Sequence, residues 1–280
     1  KISSNYSNTF YGKLAIKSLG YNHKINFELP NISENFISWL SSQKGGLRAL
    51  ALLQVEEYWH ADRELRKLYP LTPEKFHLEL MSFSSNYGMP SIAYRLADIQ
   101  RVETGKKWYG ALYPNLIFKN ENNIKDKALV MSIIRQESRF DQRGKSPARA
   151  QGLMQILPST AAFIMKNRNY RGKLRHDLLI PEKNILIGEK YIQHLNSELL
   201  IDNDIIKLLA AYNAGPGNLN KWLKKTNFKN DPLLLIETIP SRETRNYIKE
   251  VLKNYYVYNN KYLYNDIELE ELASGKWTIK

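Results

Sequence analysis

The spacing of apolar and polar residues is helical from one end of the chain to the other. In the first hundred residues, short amphipathic segments recur over residues 31–40, 46–68, 72–84 and 90–101, separated by Gly- and Pro-containing turns. Alternating runs long enough to nominate a strand are few. The pattern therefore predicts a mainly α fold with at most a very small β element, in which the first part of the chain forms stacked helical hairpins.

A change in composition predicts where this first region ends. Residues 106–123 are basic and aromatic, with Pro114 and a cluster of Asn among them. We place the boundary near residue 110, which gives a helical linker or superhelical domain over 1–110 and a second domain over 111–280. The helices predicted in the second domain cover the following residues: 126–138, 159–166, 182–200, 204–214 and 242–258.

One carboxylate lies on an apolar stripe. Val130, Ile133, Ile134 and Glu137 follow each other at helical spacing, so Glu137 faces the same side as three core residues near the end of its helix. Burial disfavours the charged form of a carboxylate and raises its pKa, which allows proton donation near neutral pH. The alternative is an ordinary surface glutamate at a fraying helix end, which is the commoner case for a helical Glu taken alone.

Polar residues that can bind a ligand recur at three places further along the chain. Ser146 precedes the sequence GLMQ at residues 152–155, which ends in Gln155 and in which Gly152 permits a tight turn. Tyr212 and Asn213 end an apolar helix, and rings paired with amides are suited to sugars. Tyr247 shares a helix face with apolar residues, so its hydroxyl needs a buried partner. Each of these features alone is more often simple packing.

Composition narrows the function classes. The 280 residues contain 41 Lys and Arg against 28 Asp and Glu, a formal charge of +13, and no Cys. Disulfides and thiolate chemistry are therefore excluded, and polyanions are favoured as partners. The basic excess is dispersed and no nucleic-acid motif is present, so we expect no nucleic-acid partner. No apolar run reaches the roughly 18 residues of a membrane-spanning helix, and the N-terminus lacks a signal-peptide core.

The histidines do not suggest a metal centre. His23, His60, His77, His176 and His194 show no recognisable ligand spacing with carboxylates. His60 and Asp62 are close in sequence, but residues two apart do not face each other on a helix. We expect no metal and no cofactor.

Four blocks taken jointly resemble the catalytic domain of the lytic transglycosylases, specifically the soluble periplasmic kind that carries a helical superhelix ahead of that domain. They are RQESRF at 135–140, GLMQILPSTA at 152–161, AYNAGPG at 211–217 and IPSRETRNYI at 239–248. The resemblance covers residues from about 111 to 258. Residues 10–15 and 48–53 are similar, less specifically, to the helical segments that precede the domain.

This resemblance implies a lysozyme-like fold that binds peptidoglycan and breaks the β-1,4 bond between N-acetylmuramic acid and N-acetylglucosamine without water. Glu137 is then the general acid and afterwards the base, and the product is a 1,6-anhydromuramoyl end. Ser146 and Tyr247 are expected to steady the muramoyl group and position Glu137. Gln155, Tyr212 and Asn213 are expected to line the glycan groove. The implied location is the periplasm of a Gram-negative bacterium, with the signal sequence absent from this chain.

The chain departs from the family pattern at two positions. Arg149 stands where Gly is usual, which leaves substrate preference at that subsite open, and Leu157 replaces a common Met at similar volume.

Other functions remain possible for the same residues. Most glycosidases need a second carboxylate. For a hydrolytic muramidase, Asp141, four residues after Glu137, or another acid near the groove would be the base. A non-catalytic peptidoglycan-binding module is the further alternative.

Overall fold

The chain folds into helices throughout the part that can be described. The structure is a computed structural model that covers residues 2–6, 8–20, 25–117, 124–262 and 274. Within these ranges there are fourteen α-helices and no strand, which confirms the mainly α prediction. Two isolated β-bridges join residue 151 to residues 145 and 156, and they form the very small extended element. The helices are α1 (Phe10–Ser18), α2 (Glu34–Ser42), α3 (Lys44–Gln54), α4 (Tyr58–Leu68), α5 (His77–Asn86), α6 (Pro90–Thr104), α7 (Tyr109–Leu112), α8 (Lys127–Glu137), α9 (Pro158–Ile164), α10 (Pro181–Asn196), α11 (Ile205–Ala214), α12 (Pro216–Lys225), α13 (Pro232–Thr238) and α14 (Arg242–Tyr262).

Packing divides the chain into two compact units. The larger unit consists of Lys1–Lys24, Asn122–Ser138 and Gln142–Lys280, and the smaller unit consists of Ile25–Glu121 and Arg139–Asp141. The first residues of the chain are thus grouped with its C-terminal half. The domain limits proposed from the sequence, 1–110 and 111–280, describe functional domains and stay a prediction.

The smaller unit shows one break that the apolar pattern does not reveal. The sequence predicts one amphipathic segment over residues 46–68, but α3 ends at Gln54 and α4 begins at Tyr58. Glu56, between them, has a φ of 59°, which a continuing helix cannot contain. Phe36, Phe76 and Phe83 pack in the core of this unit, with ring centroids 5.7 and 5.9 Å from that of Phe36.

The larger unit is organised around α8 and α14. The carboxylate of Asp126 caps α8 by accepting the backbone N–H of Leu129 at 2.9 Å, and every residue from 128 to 134 is buried. Tyr255 on α14 donates its hydroxyl to the other Asp126 oxygen at 2.7 Å. Arg135 donates to the Asn254 amide oxygen at 2.7 Å. These bonds fix the register of α8, and therefore the position at which Glu137 ends it.

Candidate active site

Glu137 is the last residue of α8, as its place on the apolar stripe predicts. Its side chain is half-buried, and this burial raises the pKa of the carboxyl from 4.5 to about 7. The negative charge of Glu243 on α14 contributes a smaller rise in the pKa. A carboxyl with a pKa near 7 is present in both protonation states at neutral pH, so it can donate a proton in one step and accept one in the next.

Tyr247 lies beside this carboxyl, on the buried face of α14. The residue is 4% exposed, and its hydroxyl is buried without a hydrogen bond of normal geometry to any described residue. The interaction with Glu137 nevertheless lowers the pKa of that carboxyl and opposes part of the effect of burial. Burial and the Glu137 charge raise the pKa of Tyr247 well above its usual value of 10. Tyr247 is therefore a neutral hydroxyl that lies next to the Glu137 carboxyl.

The end of α11 supplies Tyr212 and Asn213. The Tyr212 hydroxyl donates to the Met154 carbonyl oxygen at 2.9 Å. Burial first, and the Glu137 charge second, raise the pKa of Tyr212, so this ring also borders the carboxylate. The amide oxygen of Asn213 accepts the Thr244 hydroxyl at 2.8 Å. The structure thus brings Glu137, Tyr212 and Tyr247 together, with Asn213 next to Tyr212 in sequence.

The loop containing Ser146 and Gln155 is held by its own hydrogen bonds. The Ser146 hydroxyl oxygen accepts the backbone N–H of Ala150 at 3.0 Å. The Gln155 amide donates to the carbonyl oxygens of Gly144 and Gly152 at 3.2 and 2.8 Å. Both side chains shape the loop, and the substrate contacts expected of them stay predictions.

Asn184 is a residue that sequence reasoning missed. It is fully buried in α10, and its amide makes three hydrogen bonds. It accepts the backbone N–H of Met154 at 2.8 Å and donates to the carbonyl oxygens of Gln151 and Leu178 at 2.9 and 2.8 Å. Asn184 thereby fixes the loop whose Met154 carbonyl receives Tyr212. A lone Asn inside a helix carries no local signal of such a role.

Position 152 requires glycine, because the backbone conformation and the neighbouring atoms leave no room for a side chain. Its φ is 76°, and a Cβ at this position lies only 2.1 Å from the Leu178 carbonyl oxygen and 2.4 Å from the Asn184 amide nitrogen. Arg149, which stands where the family usually has Gly, also has a positive φ, of 69°, and its side chain is exposed. The loop therefore accepts an Arg in a left-handed conformation.

The second carboxylate considered for a hydrolase lies in the smaller unit. Asp141 accepts the indole N–H of Trp59 at 3.4 Å. The carboxylate whose charge acts on Glu137 is Glu243, an exposed residue.

Two further features concern metals and membranes. Among the described residues, no group of three or more His, Asp or Glu side chains is placed to hold a metal ion. None of the helices in the described ranges has the length and apolarity needed to cross a bilayer.

One family model matches the part of the chain that contains Glu137. Residues 115–234 match the family model of the transglycosylase SLT domain. The matched range contains Glu137, the Ser146–Gln155 loop and the end of α11. The resemblance to lytic transglycosylases inferred from the four blocks is thereby confirmed.

Individual relatives extend the similarity beyond this range. The chain is 32% identical over 253 residues to the soluble lytic murein transglycosylase of Escherichia coli strain K12, covering 87% of this chain and 38% of the relative. It is 34% identical over 166 residues to a putative soluble lytic murein transglycosylase of Haemophilus influenzae, covering 57% of this chain and 27% of that protein. The chain thus spans about two fifths or less of these relatives.

Solved structures support the fold. The 70 kDa soluble lytic transglycosylase of Escherichia coli superposes with a TM-score of 0.75 at 24% identity, over 96% of this chain and 44% of that one. A second structure, the 70 kDa soluble lytic transglycosylase in complex with bulgecin A, gives a TM-score of 0.72 over 96% of this chain and 42% of that one. At this identity the likeness concerns the fold alone, and it agrees with the all-helical architecture.

Proposed function

We propose that this chain is a peptidoglycan lytic transglycosylase that cleaves the β-1,4 bond between N-acetylmuramic acid and N-acetylglucosamine. The observation that carries the proposal is Glu137, a half-buried carboxyl with a pKa of about 7 beside two buried tyrosines. The match of residues 115–234 to a transglycosylase domain and the names of the relatives support the same activity. The proposed place of action is the periplasm, where such a substrate lies.

The reaction balances without water. Protonated Glu137 donates its proton to the glycosidic oxygen, the bond from this oxygen to the muramoyl anomeric carbon breaks, and N-acetylglucosamine leaves with a hydroxyl. The muramoyl C6 oxygen then bonds to the anomeric carbon, and its proton passes to the Glu137 carboxylate. The 1,6-anhydro ring forms and Glu137 is protonated again. A pKa near 7 suits both transfers, because neither protonation state is strongly preferred.

The surrounding side chains have separate tasks in this proposal. Tyr247 donates a hydrogen bond either to the muramoyl group or to the newly ionised Glu137. Ser146 assists in holding the muramoyl group. Gln155, Tyr212 and Asn213 line the glycan groove, with Tyr212 held by its bond to Met154.

A hydrolytic muramidase and a non-catalytic binding module are the alternatives. Mass spectrometry of the fragments released from purified peptidoglycan separates them. Wild-type protein is compared with Glu137→Gln, and with Glu243→Gln as a matched control, because Glu243 is an exposed carboxylate on the neighbouring helix.

The proposal predicts 1,6-anhydromuramoyl ends from the wild type and from Glu243→Gln, and none from Glu137→Gln. Reducing ends in place of anhydro ends would establish hydrolysis. Binding to peptidoglycan without release of fragments would establish the binding module.

A further inference from the structure

The chain adopts an unfavourable backbone conformation directly after the active-site helix. Arg139 and Phe140, the second and third residues after Glu137, have φ values of 50° and 67°. Phe140 is the only aromatic among the non-glycine residues with positive φ in the described ranges. A left-handed conformation is costly for a bulky side chain, so the surroundings must hold it in place.

The residues that hold the left-handed conformation of Arg139 and Phe140 belong to the smaller unit. The segment Arg139–Asp141 is part of that unit, although the residues on either side of it are not. Phe140 is 3% exposed, and its ring centroid lies 6.2 Å from that of Tyr94 on α6. Asp141 accepts the Trp59 indole N–H at 3.4 Å. Two of the three side chains of the segment are thus fixed within the smaller unit.

A series of polar contacts fixes the backbone of the same segment. The hydroxyl of Ser91 donates to the Arg139 carbonyl oxygen at 3.1 Å. The Arg66 guanidinium donates both to the Ser91 hydroxyl oxygen and to the Asp62 carboxylate. We call Asp62, Arg66 and Ser91 the anchor network. Its three members lie on α4 and α6, and together they reach the main chain two residues after Glu137.

The anchor network is itself rigidly held. Asp62 is 5% exposed, and its second oxygen accepts the backbone N–H of Ile92 in the first turn of α6 at 2.7 Å. A buried carboxylate with both oxygens bonded cannot change its position without leaving a buried charge unpaired. The point at which Ser91 holds Arg139 is therefore well defined.

We infer that Asp62, Arg66 and Ser91 are positioning residues that set the orientation of Glu137 by fixing the chain directly after it. The inference rests on the proposed role of Glu137 as the acid. The last turn of a helix frays easily because its final carbonyl groups lack partners within the helix. A displacement of about 1 Å at a reacting group can reduce the rate by about a hundredfold.

Ser91→Ala tests the inference with the smallest disturbance, because it removes the bond to Arg139 and leaves the Asp62–Arg66 pair in place. Ser91→Thr restores the hydroxyl. The matched control is Ser85→Ala, in which a serine hydroxyl that donates to the Gly110 carbonyl oxygen in the same unit is removed. We expect Ser91→Ala to lower kcat on soluble glycan strands about tenfold with KM changed by less than about twofold. Ser91→Thr and Ser85→Ala should keep kcat near that of the wild type.

A second readout separates positioning from a purely structural role and does not depend on activity. The difference in melting temperature between a protein and its Glu137→Gln derivative changes with pH as Glu137 ionises. In the wild-type background, the pH at the midpoint of this change reports the raised pKa of Glu137. A Glu137 released from its position is better solvated, so Ser91→Ala should move this midpoint to lower pH.

The possible outcomes are distinguishable. An unchanged kcat and an unchanged midpoint in Ser91→Ala, with only the melting temperature reduced, would overturn the inference. If the wild type releases no fragments, the proposed function fails, and the midpoint still decides whether Ser91 positions Glu137. A lowered midpoint supports the inference in either case.

Discussion

Two carboxylates lie at opposite ends of α8, and each is next to a tyrosine of α14. At the start of the helix, Asp126 accepts the Leu129 backbone N–H and the Tyr255 hydroxyl at 2.9 and 2.7 Å. At the end of the helix, Glu137 lies beside Tyr247, whose buried hydroxyl makes no hydrogen bond of normal geometry to the described residues. The same helix pair thus contains one acid–tyrosine pair joined by a hydrogen bond of normal geometry and one pair that interacts without such a bond.

The difference separates a structural pair from the pair that we propose to be reactive. A buried carboxylate with its hydrogen bonds made stabilises the fold, whereas one that is desolvated with few partners costs stability and acquires a raised pKa. Asp126 caps a helix and ties it to α14. Glu137 holds the pKa of about 7 that acid and base catalysis needs. Substitutions at the two ends should therefore have opposite consequences.

The largest expected effect is on turnover. Glu137→Gln should lower the rate of fragment release from peptidoglycan by about a thousandfold or more, because the proton donor is lost. Asp126→Asn should retain at least about a third of the activity, because Asn still caps a helix well. Initial rates of release measure both. Comparable losses of activity in the two variants, at a temperature where both are folded, would remove the distinction between the two ends.

The next effect compares the two tyrosines. Tyr255→Phe removes a hydrogen bond to a buried carboxylate and should cost about 1.5 to 3 kcal/mol of unfolding free energy, with activity retained. Tyr247→Phe removes a hydroxyl whose interaction with Glu137 lacks normal hydrogen-bond geometry, so the unfolding free energy should change by less than about 0.5 kcal/mol while kcat falls about ten- to a hundredfold.

The Tyr247 substitution has a further signature. Because Tyr247 lowers the pKa of Glu137, its loss should move the alkaline limb of the activity profile to higher pH. Denaturant unfolding and a pH–rate profile measure these changes. Equal stability losses in Tyr247→Phe and Tyr255→Phe would show that the two pairs are alike.

The sequence predicted the position of Glu137 on its helix, but it did not predict the tyrosine that binds Asp126. The apolar stripe placed Glu137 inward and near the helix end, because helical periodicity is a local property. Asp126 was predicted as the first residue of the helix, and it is the cap. Its partner Tyr255 lies 129 residues away, and no pattern along the chain indicates that contact.

The same limit applies to the loop and to the smaller unit. Gly152 was read correctly as a turn residue, but the partners that exclude a side chain there are Leu178 and Asn184, which only the tertiary fold brings close. The break at Glu56 was missed because no Gly or Pro marks it.

A smaller expected effect is the loss of folding stability that results from keeping Glu137 buried. Below pH 4.5 the acid is protonated in both the folded and the unfolded protein. Between pH 4.5 and about 7 the unfolded chain ionises while the folded protein does not, so wild-type stability falls as pH rises. Glu137→Gln does not titrate. Its stability advantage over the wild type should therefore grow through this range and level off above it.

The expected gain is about 1 to 3 kcal/mol, allowing for partial solvent access to the side chain. Thermal unfolding of both proteins between pH 4 and 8.5 measures it. Glu243→Gln removes only the charge that contributes the smaller rise in the Glu137 pKa, so its gain over the same range should be smaller. A difference that is constant across the range would mean that Glu137 is not desolvated in the folded protein.

The most direct test of the account is a titration of the Glu137 carboxyl itself. Carbon-13 NMR of protein labelled at the glutamate side-chain carboxyl, compared with Glu137→Gln to assign the signal, gives the pKa of this group without reference to any substrate. If burial raises the Glu137 pKa, one glutamate signal has a midpoint near pH 7 and is missing from the variant. A midpoint near 4.5 for that signal would mean an ordinary solvated carboxylate, and it would contradict the assignment of Glu137 as acid and base.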